Sequence, residues 1–290
     1  MPTTQNKPSL IRTLLILGRV SNLPTVWSNC LAGWLLSGGG EWARFASLCA
    51  GASLLYIGGM FLNDACDVRF DAQHRAGRPI PSGAISARNV WLLSFILFAS
   101  GVALLASLGK FTGLLALGLF VCIVAYDLIH KRTALAPLLM AGCRFLLYLV
   151  AASATANVIT GKTFWCAGTL AAYIVGLSYI ARKETERSQI NGLVVPLLVA
   201  PVLSGCMFAT TSNAVVAVLL AGLFLVWLIW SMRQVVTNKD GAVGRAVSGL
   251  LAGIVLVDML AVQGGGGVMP LVFVLLFVSA LILQRKIPAT

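Results

Sequence analysis

Hydrophobic residues run in long stretches along almost the whole chain, and short polar or glycine-rich segments separate them. A helix needs around 20 apolar residues to cross the roughly 30 Å of hydrocarbon in a bilayer. The stretches that reach or approach this length are residues 13–37, 44–66, 89–109, 111–129, 134–156, 164–182, 192–210, 213–232, 246–263 and 268–284. The pattern predicts an all-α, polytopic membrane helical bundle of nine or ten transmembrane helices, because the last stretch is short and follows only a glycine turn.

The breaks between the stretches are short, and none has the composition of an interdomain linker. We therefore expect a single integral-membrane domain over residues 1–290, in which the polar residues 1–9 are disordered. A proline lies inside the first stretch, in Asn22-Leu23-Pro24. Because proline removes a backbone N–H, this position predicts a kink in the first helix.

Composition and charge agree with a membrane location. Of the 290 residues, 59% are hydrophobic and 10% are charged, against about 25% charged in ordinary soluble domains. The net charge of +12 does not indicate a nucleic-acid partner, because the basic residues stand singly between apolar stretches. With the N-terminus inside, seventeen of the 21 Lys and Arg residues fall on the inner side, three on the outer side, and Arg144 within a span. Since basic residues concentrate in cytoplasmic loops, we expect a multi-pass protein of the inner (plasma) membrane with a cytoplasmic N-terminus.

The acidic residues also share one end of the predicted helices. Seven of the nine map near cytoplasmic helix ends: Asp64, Asp67, Asp71, Asp127, Glu184, Glu186 and Asp240. An aspartate at mid-bilayer costs about 2.5–3.5 kcal/mol, and less near the interface. Their convergence on one face therefore indicates a site there. Asp258 lies apart, inside the ninth stretch, where we expect it to bond a neighbouring helix.

The densest polar stretch ends the second apolar run. Asn63, Asp67 and Asp71 are spaced four residues apart, which places them in one stripe on a helix, about 6 Å apart along the axis. Oxygen ligands in this arrangement suit Mg²⁺, which uses one or two carboxylates and completes its shell with water and phosphate oxygens. Asp64 is rotated about 100° from the stripe, so it reaches either a second ion or a basic neighbour.

Basic residues follow the stripe closely. Arg75 and Arg78 come directly after it, and Tyr126, Lys131 and Arg132 lie at the same end of the fourth stretch. A lone cation site does not need them. Guanidinium and ammonium groups beside carboxylates instead favour a metal-bound phosphate.

The string NDACDVRFDAQHRAGRPIPSG, residues 63–83, resembles the first aspartate motif of the UbiA family of membrane prenyltransferases. The later YDLIHKR, residues 126–132, is similar to the Tyr-x-x-x-x-Lys-Arg element of that family. The resemblance implies a helical bundle that binds an isoprenyl diphosphate through Mg²⁺. The allylic C–O bond would ionise, diphosphate would leave, and a hydrophobic or aromatic acceptor would attack the carbocation inside the membrane.

The resemblance also implies roles for single residues. Asn63, Asp67 and Asp71 would hold Mg²⁺ and diphosphate, and we expect Asp67, Asp71 and Lys131 to carry catalysis. The remaining residues expected to bind substrate are Asn22, Asp64, Arg75, Arg78, Tyr126, Arg132 and Lys183.

The second motif departs from the family pattern. An Asp-x-x-x-Asp sequence is expected after the sixth stretch, where this chain has Lys183, Glu184 and Glu186. Either the two glutamates form a reduced metal site in which the Lys183 ammonium replaces a metal charge, or diphosphate activation is impaired. The sequence thus predicts a Mg²⁺-dependent intramembrane prenyltransferase. The alternative is a non-catalytic protein that binds or transports isoprenoid lipids on the same fold.

Overall fold

The computed structural model describes residues 9–131, 133–155, 159–182, 192–236, 241–263 and 266–289. In this part of the chain, all regular structure is helical. The α-helices are α1 (Leu10–Leu17), α2 (Leu23–Leu36), α3 (Trp42–Cys66), α4 (Val68–His74), α5 (Ala87–Ser107), α6 (Lys110–Ile129), α7 (Ala136–Ser153), α8 (Gly161–Arg182), α9 (Val194–Met207), α10 (Ala214–Val236), α11 (Ala242–Ala261) and α12 (Met269–Lys286), and one 3-10 turn covers Val20–Asn22. The predicted all-α fold is confirmed.

Eight of the helices in the described residues are long and apolar enough to cross a membrane. They are α3, α5, α6, α7, α8, α10, α11 and α12. The helix α9 is apolar but shorter, and the first predicted stretch is divided between α1 and α2. The expected total of nine or ten spans therefore stays a prediction, while the multi-pass architecture is plain.

The division of the first stretch has a local cause. Arg19 adopts a left-handed backbone conformation, with φ of 41°, and α1 ends at Leu17. Pro24 then occupies the first turn of α2, where a missing N–H leaves no hydrogen bond unmade. A complete break thus replaces the expected kink. The hydroxyl of Tyr56 on α3 donates to the Arg19 backbone carbonyl across 3.4 Å, so the break is attached to α3.

Helices α2 and α7 approach very closely at Gly33. A Cβ atom at this position would lie 2.6 Å from the backbone oxygen of Tyr148 and 2.9 Å from the Cβ atom of Ala151. Only glycine permits this contact without a shift of one helix. The close approach brings the polar residues of α2 and α7 together in the bundle interior, beside the well-enclosed α11.

Asp258 on α11 is fully buried and bonds two neighbouring helices. Its carboxylate accepts hydrogen bonds from Ser28 and Asn29 of α2 and from Tyr148 of α7. This agrees with the expectation from sequence that Asp258 bonds a neighbouring helix.

Candidate active site

The acidic stripe lies where α3 meets α4. Asp67 stands between the two helices, and its backbone N–H donates to Asn63 across 3.0 Å. The N–H of Asp71 donates to Asp67 across 2.9 Å in the same way. Because these bonds continue the helical pattern through the junction, Asn63, Asp67 and Asp71 remain one turn apart, as their spacing predicts. All three side chains are buried.

Two arginines neutralise the acids on one side of the stripe. Nη1 of Arg78 lies 3.0 Å from an oxygen of Asp64 and 3.0 Å from an oxygen of Asp71. Nη2 of Arg19 lies 3.1 Å from the same Asp64 oxygen and 3.4 Å from the Asn63 carbonyl oxygen. Of the two roles left open for Asp64, the structure has the one in which it pairs with basic neighbours.

The middle acid, Asp67, pairs with the end of α6. Lys131 Nζ lies 2.6 Å from one Asp67 oxygen, and His130 Nε2 lies 3.6 Å from the other. Burial favours the neutral form of Asp67, but the interactions with His130 and Lys131 outweigh it and lower the pKa of this carboxyl. Burial likewise opposes protonation of His130, yet its interactions with Asp67 raise the pKa of the imidazole. The three groups therefore form a charged cluster, and Lys131 Nζ also lies 3.9 Å from the centre of the Phe70 ring.

Asp127 forms a second layer behind the stripe. Its carboxylate is buried and accepts a hydrogen bond of 3.2 Å from the Asn63 amide. Oδ2 of Asp127 and Oδ1 of Asp71 are buried without a hydrogen-bond partner among the described residues. Such uncompensated carboxylate oxygens are costly, and they indicate that a cation or donor belongs near them.

A cavity of about 380 Å³ opens beside the acids. Its wall includes Arg19, Asp64, Arg75 and Arg78, with Ile16, Gly77, Pro79 and Pro288 completing it. Three guanidinium groups against one carboxylate give this wall a positive charge. The cavity is therefore suited to an anionic group, and its volume falls in the usual range of small-molecule sites.

The other residues predicted for the site are placed unevenly. Tyr126 stacks on His130, with 5.0 Å between the ring centres, so it supports the Asp67 cluster. Asn22 is buried, but its amide donates to the Ala289 carbonyl across 2.9 Å and not to the acids. Arg132, Lys183, Glu184 and Glu186 lie outside the described residues.

Three residues to which the sequence assigned no role take part in the site: Arg19, expected only to be able to reach the pocket, Asp127, expected only to lie at the same helix end, and His130. Arg19 lies 44 positions from Asn63 along the chain, and only the break before α2 brings the two together. Asp127 and His130 belong to the YDLIHKR string. An acid directly after Tyr126, in an otherwise apolar helix, was the available signal for a second layer.

The donors present fit Mg²⁺ in kind. No group of three His, Cys, Asp or Glu residues in the described part of the chain is close enough to hold a metal alone. Mg²⁺ does not require this, because it takes one or two carboxylates and fills its shell with water and substrate phosphate oxygens. The unpartnered Asp71 oxygen, next to a positively charged cavity, meets that description.

Known proteins are similar to parts of this chain. Over 83 residues, or 29% of each chain, the protein is 40% identical to the digeranylgeranylglyceryl phosphate synthase of Metallosphaera sedula. Over 130 residues it is 30% identical to the 4-hydroxybenzoate octaprenyltransferase of Pectobacterium atrosepticum, covering 43% of this chain and 45% of that one. The chain thus matches less than half the length of these curated relatives.

Solved structures share the fold over a larger part of the chain. A UbiA homolog from Aeropyrum pernix, at 19% identity, superposes with a TM-score of 0.66 over 84% of this chain and 97% of that chain. A UbiA homolog from Archaeoglobus fulgidus bound to DMAPP and Mg²⁺, at 13% identity, superposes with a TM-score of 0.55 over 94% of this chain and 99% of that chain.

The family comparison covers most of the bundle. The model of the UbiA prenyltransferase family matches residues 22–246, which include the acidic stripe, the arginines that follow it and the end of α6. The chain therefore belongs to the UbiA prenyltransferase family.

Proposed function

We propose that this protein transfers an isoprenyl group from an isoprenyl diphosphate to a hydrophobic or aromatic acceptor within the membrane, and that the reaction requires Mg²⁺. The observation that carries the proposal is the positively charged cavity of Arg19, Arg75 and Arg78 beside buried carboxylates. A site with this charge pattern suits a metal-bound diphosphate. Membership of the family supports the same reaction.

Binding of diphosphate would exchange existing ion pairs for new ones. Arg78 bridges Asp64 and Asp71, and Arg19 also holds Asp64. When phosphate oxygens enter, Arg19, Arg75 and Arg78 would turn toward them. Asn63, Asp67 and Asp71 would then hold Mg²⁺, which on binding neutralises charge on the departing diphosphate. Bound Mg²⁺ is described for the Archaeoglobus fulgidus homolog.

Asp67, Asp71 and Lys131 would have the most direct roles in this scheme. Lys131, within 2.6 Å of Asp67, is placed to stabilise negative charge on the leaving group while Asp67 stays ionised. Asp127 would fix the Asn63 amide so that its carbonyl oxygen faces the site. Tyr126, stacked on His130, would support the same wall.

Apolar surroundings would protect the reactive carbon. The site lies at one end of a bundle of long apolar helices, where little water competes with the acceptor. We further propose a single domain in an inner (plasma) membrane, with the N-terminus in the cytoplasm. Asn22 and Arg132 would contribute to substrate binding, and Lys183, Glu184 and Glu186 would complete the diphosphate site from the segment after α8.

The test is release of diphosphate by purified protein. Farnesyl and geranylgeranyl diphosphates would be supplied with a lipid and metabolite extract, with and without Mg²⁺. We expect Mg²⁺-dependent release that falls about 100-fold or more in Asp67→Asn, since the loss of one electrostatic group at a reacting centre has effects of that order. Glu41→Gln, which changes an exposed acid before α3, is the matched control and should leave the rate unchanged.

Two outcomes would count against the proposal. An Asp67→Asn protein with unchanged rate and Mg²⁺ dependence would show that the site is assigned wrongly. Tight diphosphate binding without release, over both prenyl lengths, would instead favour a protein that binds or transports isoprenoid lipids.

A further inference from the structure

A second polar group of residues lies deeper in the bundle than the diphosphate site. Arg144 of α7 donates from Nη1 to the Asn29 side-chain oxygen across 2.7 Å and to the Thr25 carbonyl across 3.4 Å. Its Nη2 donates to the Thr25 hydroxyl across 3.2 Å. The Asn29 amide in turn donates to Asp258 across 2.7 Å. Asn29 therefore connects a guanidinium and a carboxylate that do not touch.

Asp258 is well satisfied within this group. Besides Asn29, its carboxylate accepts hydrogen bonds from Ser28 across 2.5 Å and from Tyr148 across 2.7 Å. The residue has no accessible surface. Asp258 thus joins α2, α7 and α11 through its hydrogen bonds, and it has little capacity left for a ligand.

Arg144 is not satisfied in the same way. A guanidinium carries five N–H groups, and three of them have the partners given above. Among the described residues, nothing accepts from Nε or from the second hydrogen of Nη2, and no carboxylate lies within 4.0 Å of the guanidinium. The side chain also keeps accessible surface.

Arg44 shows what an arginine with a purely structural role looks like in this fold. Its Nε and Nη2 donate to the backbone carbonyls of Leu108 and Ala154, which joins the ends of three helices. Arg144 differs at Nε: its Nε–H has no acceptor among the described residues, whereas the Nε–H of Arg44 donates to Ala154. Because an arginine inside a membrane protein is costly unless its donors reach a partner, the free edge of Arg144 indicates a ligand.

The position of Arg144 relates it to the reacting centre. Its partners Thr25 and Asn29 lie three and seven residues beyond Asn22 on α2, which corresponds to roughly 5–10 Å along the helix axis. Tyr56 lies near enough to interact electrostatically with both Arg19 and Arg144, and its hydroxyl contacts the Arg19 backbone. The partners of Arg144 thus lie about one to two helical turns along α2 from Asn22, which follows Arg19 of the cavity wall by three residues.

We propose that the free edge of Arg144 binds an anionic oxygen pair on the acceptor, either a carboxylate or a phosphate, and so orients the acceptor toward the isoprenyl diphosphate. The inference rests on the proposed transferase function, because only a transferase needs an acceptor. Two parallel N–H groups match two oxygens of one anion in geometry and charge. Thr25 and Asn29 hold the guanidinium plane, and Asp258 fixes Asn29 by accepting a hydrogen bond from its amide.

The experiment measures acceptor binding without turnover. Equilibrium dialysis of the purified, membrane-reconstituted protein would use 4-hydroxybenzoate, its neutral methyl ester and glycerol phosphate as probes. We expect one of the two anions to bind the unaltered protein. The substitution Arg144→Gln should weaken that binding about tenfold or more, since a charge-assisted hydrogen bond contributes about 1.5–3 kcal/mol. If 4-hydroxybenzoate is the anion that binds, its ester should bind the unaltered protein about as weakly as the acid binds Arg144→Gln. Arg44→Gln should bind every probe as the unaltered protein does.

Separate readouts distinguish this inference from the proposed function. Mg²⁺-dependent binding of farnesyl diphosphate should be the same in Arg144→Gln and in the unaltered protein, because Arg144 does not line the diphosphate cavity. If Arg144→Gln fails to fold, Arg144→Lys, which keeps the charge and loses the planar fork, should still show weaker anion binding.

The inference would be overturned if neither anion bound, if the anion that binds also bound Arg144→Gln equally well, or if 4-hydroxybenzoate and its ester both bound with the same affinity. None of these outcomes depends on whether diphosphate is released.

Discussion

At the scale of single residues, the site is a set of charges that neutralise one another. Asp67 is held by Lys131 and His130, while Asp64 and Asp71 share Arg78. Asp67 therefore keeps its charge in surroundings that would otherwise favour the neutral form, because its interactions with His130 and Lys131 lower the pKa of its carboxyl. The consequence is a site whose protonation depends on partners from distant parts of the chain, and this dependence can be measured.

The His130–Asp67 pair predicts a dependence of stability on pH in the protein free of Mg²⁺. The pKa of His130 is raised in the folded protein by Asp67, so its contribution is complete below the ordinary histidine pKa of about 6.5 and is lost as pH rises through the folded value. The pKa of Asp67 is lowered, so its own contribution fails only in strong acid. Two other charged residues lie at this pair: Lys131 contacts Asp67, and the Asp127 backbone carbonyl lies 3.2 Å from Nδ1 of the imidazole.

The comparison is between the unaltered protein and His130→Gln, by thermal unfolding between pH 5 and pH 9. We expect the unaltered protein to have the higher Tm at about pH 5–6, and the difference to shrink as pH rises past about 6.5. His74→Gln is the control, because His74 is exposed on α4. A difference in Tm that stays constant over this range would contradict the predicted ion pair.

At the scale of helices, much of the fold is predictable and the contacts between helices are not. The second apolar stretch ends at residue 66, where α3 also ends. The two ends agree because the length of an apolar stretch sets the length of helix that the hydrocarbon can surround. The break at Arg19 was expected only as a kink at Asn22-Leu23-Pro24, since the left-handed conformation of Arg19 depends on its contact with α3. Pairings such as Asn63 with Asp127 join separate helices, and no local pattern encodes them.

Because α2 and α7 approach so closely, we expect a single added methyl group at Gly33 to destabilise the protein. Gly33→Ala places a Cβ atom against the Tyr148 carbonyl, so one helix must shift, at a cost of about 1–3 kcal/mol. The same shift would disturb Arg144 and Asn29. We expect a lower Tm, measured by thermal unfolding.

Gly118→Ala is the matched control for this substitution. Gly118 lies within α6, and a Cβ atom there would meet nothing within 4 Å. Because alanine favours a helix over glycine, this variant should keep or slightly raise the Tm. A Gly33→Ala protein as stable as Gly118→Ala would show that α2 and α7 are farther apart than described.

At the scale of the whole molecule, charge and apolar surface are distributed along one axis. Among the described residues, the acids of the stripe, Asp127 and their basic partners gather at one end, and many exposed large side chains elsewhere are apolar. This distribution can be predicted from the sequence, because the charge of each loop follows from its own residues. The arrangement of partners within the charged end is not readable, since it requires α1, α3, α4 and α6 to meet.

Topology gives the prediction at this scale. Glu41 and His74 lie just before α3 and at the end of α4, respectively, and both are exposed. In a cysteine-free background, we expect a membrane-impermeant maleimide to label Glu41→Cys in intact cells and His74→Cys only after permeabilisation, because basic residues gather on the cytoplasmic side. The reverse labelling pattern would show that the N-terminus lies outside.

The contact between Asn22 and Ala289 has a consequence for biogenesis. These residues are 267 positions apart, and Ile16, Arg19 and Pro288 form parts of the same cavity wall. During translation, the early helices enter the bilayer long before Pro288 leaves the ribosome. The wall of the cavity is therefore completed last, so the nascent chain gains the whole lining of the pocket only when its other helices are already in the bilayer.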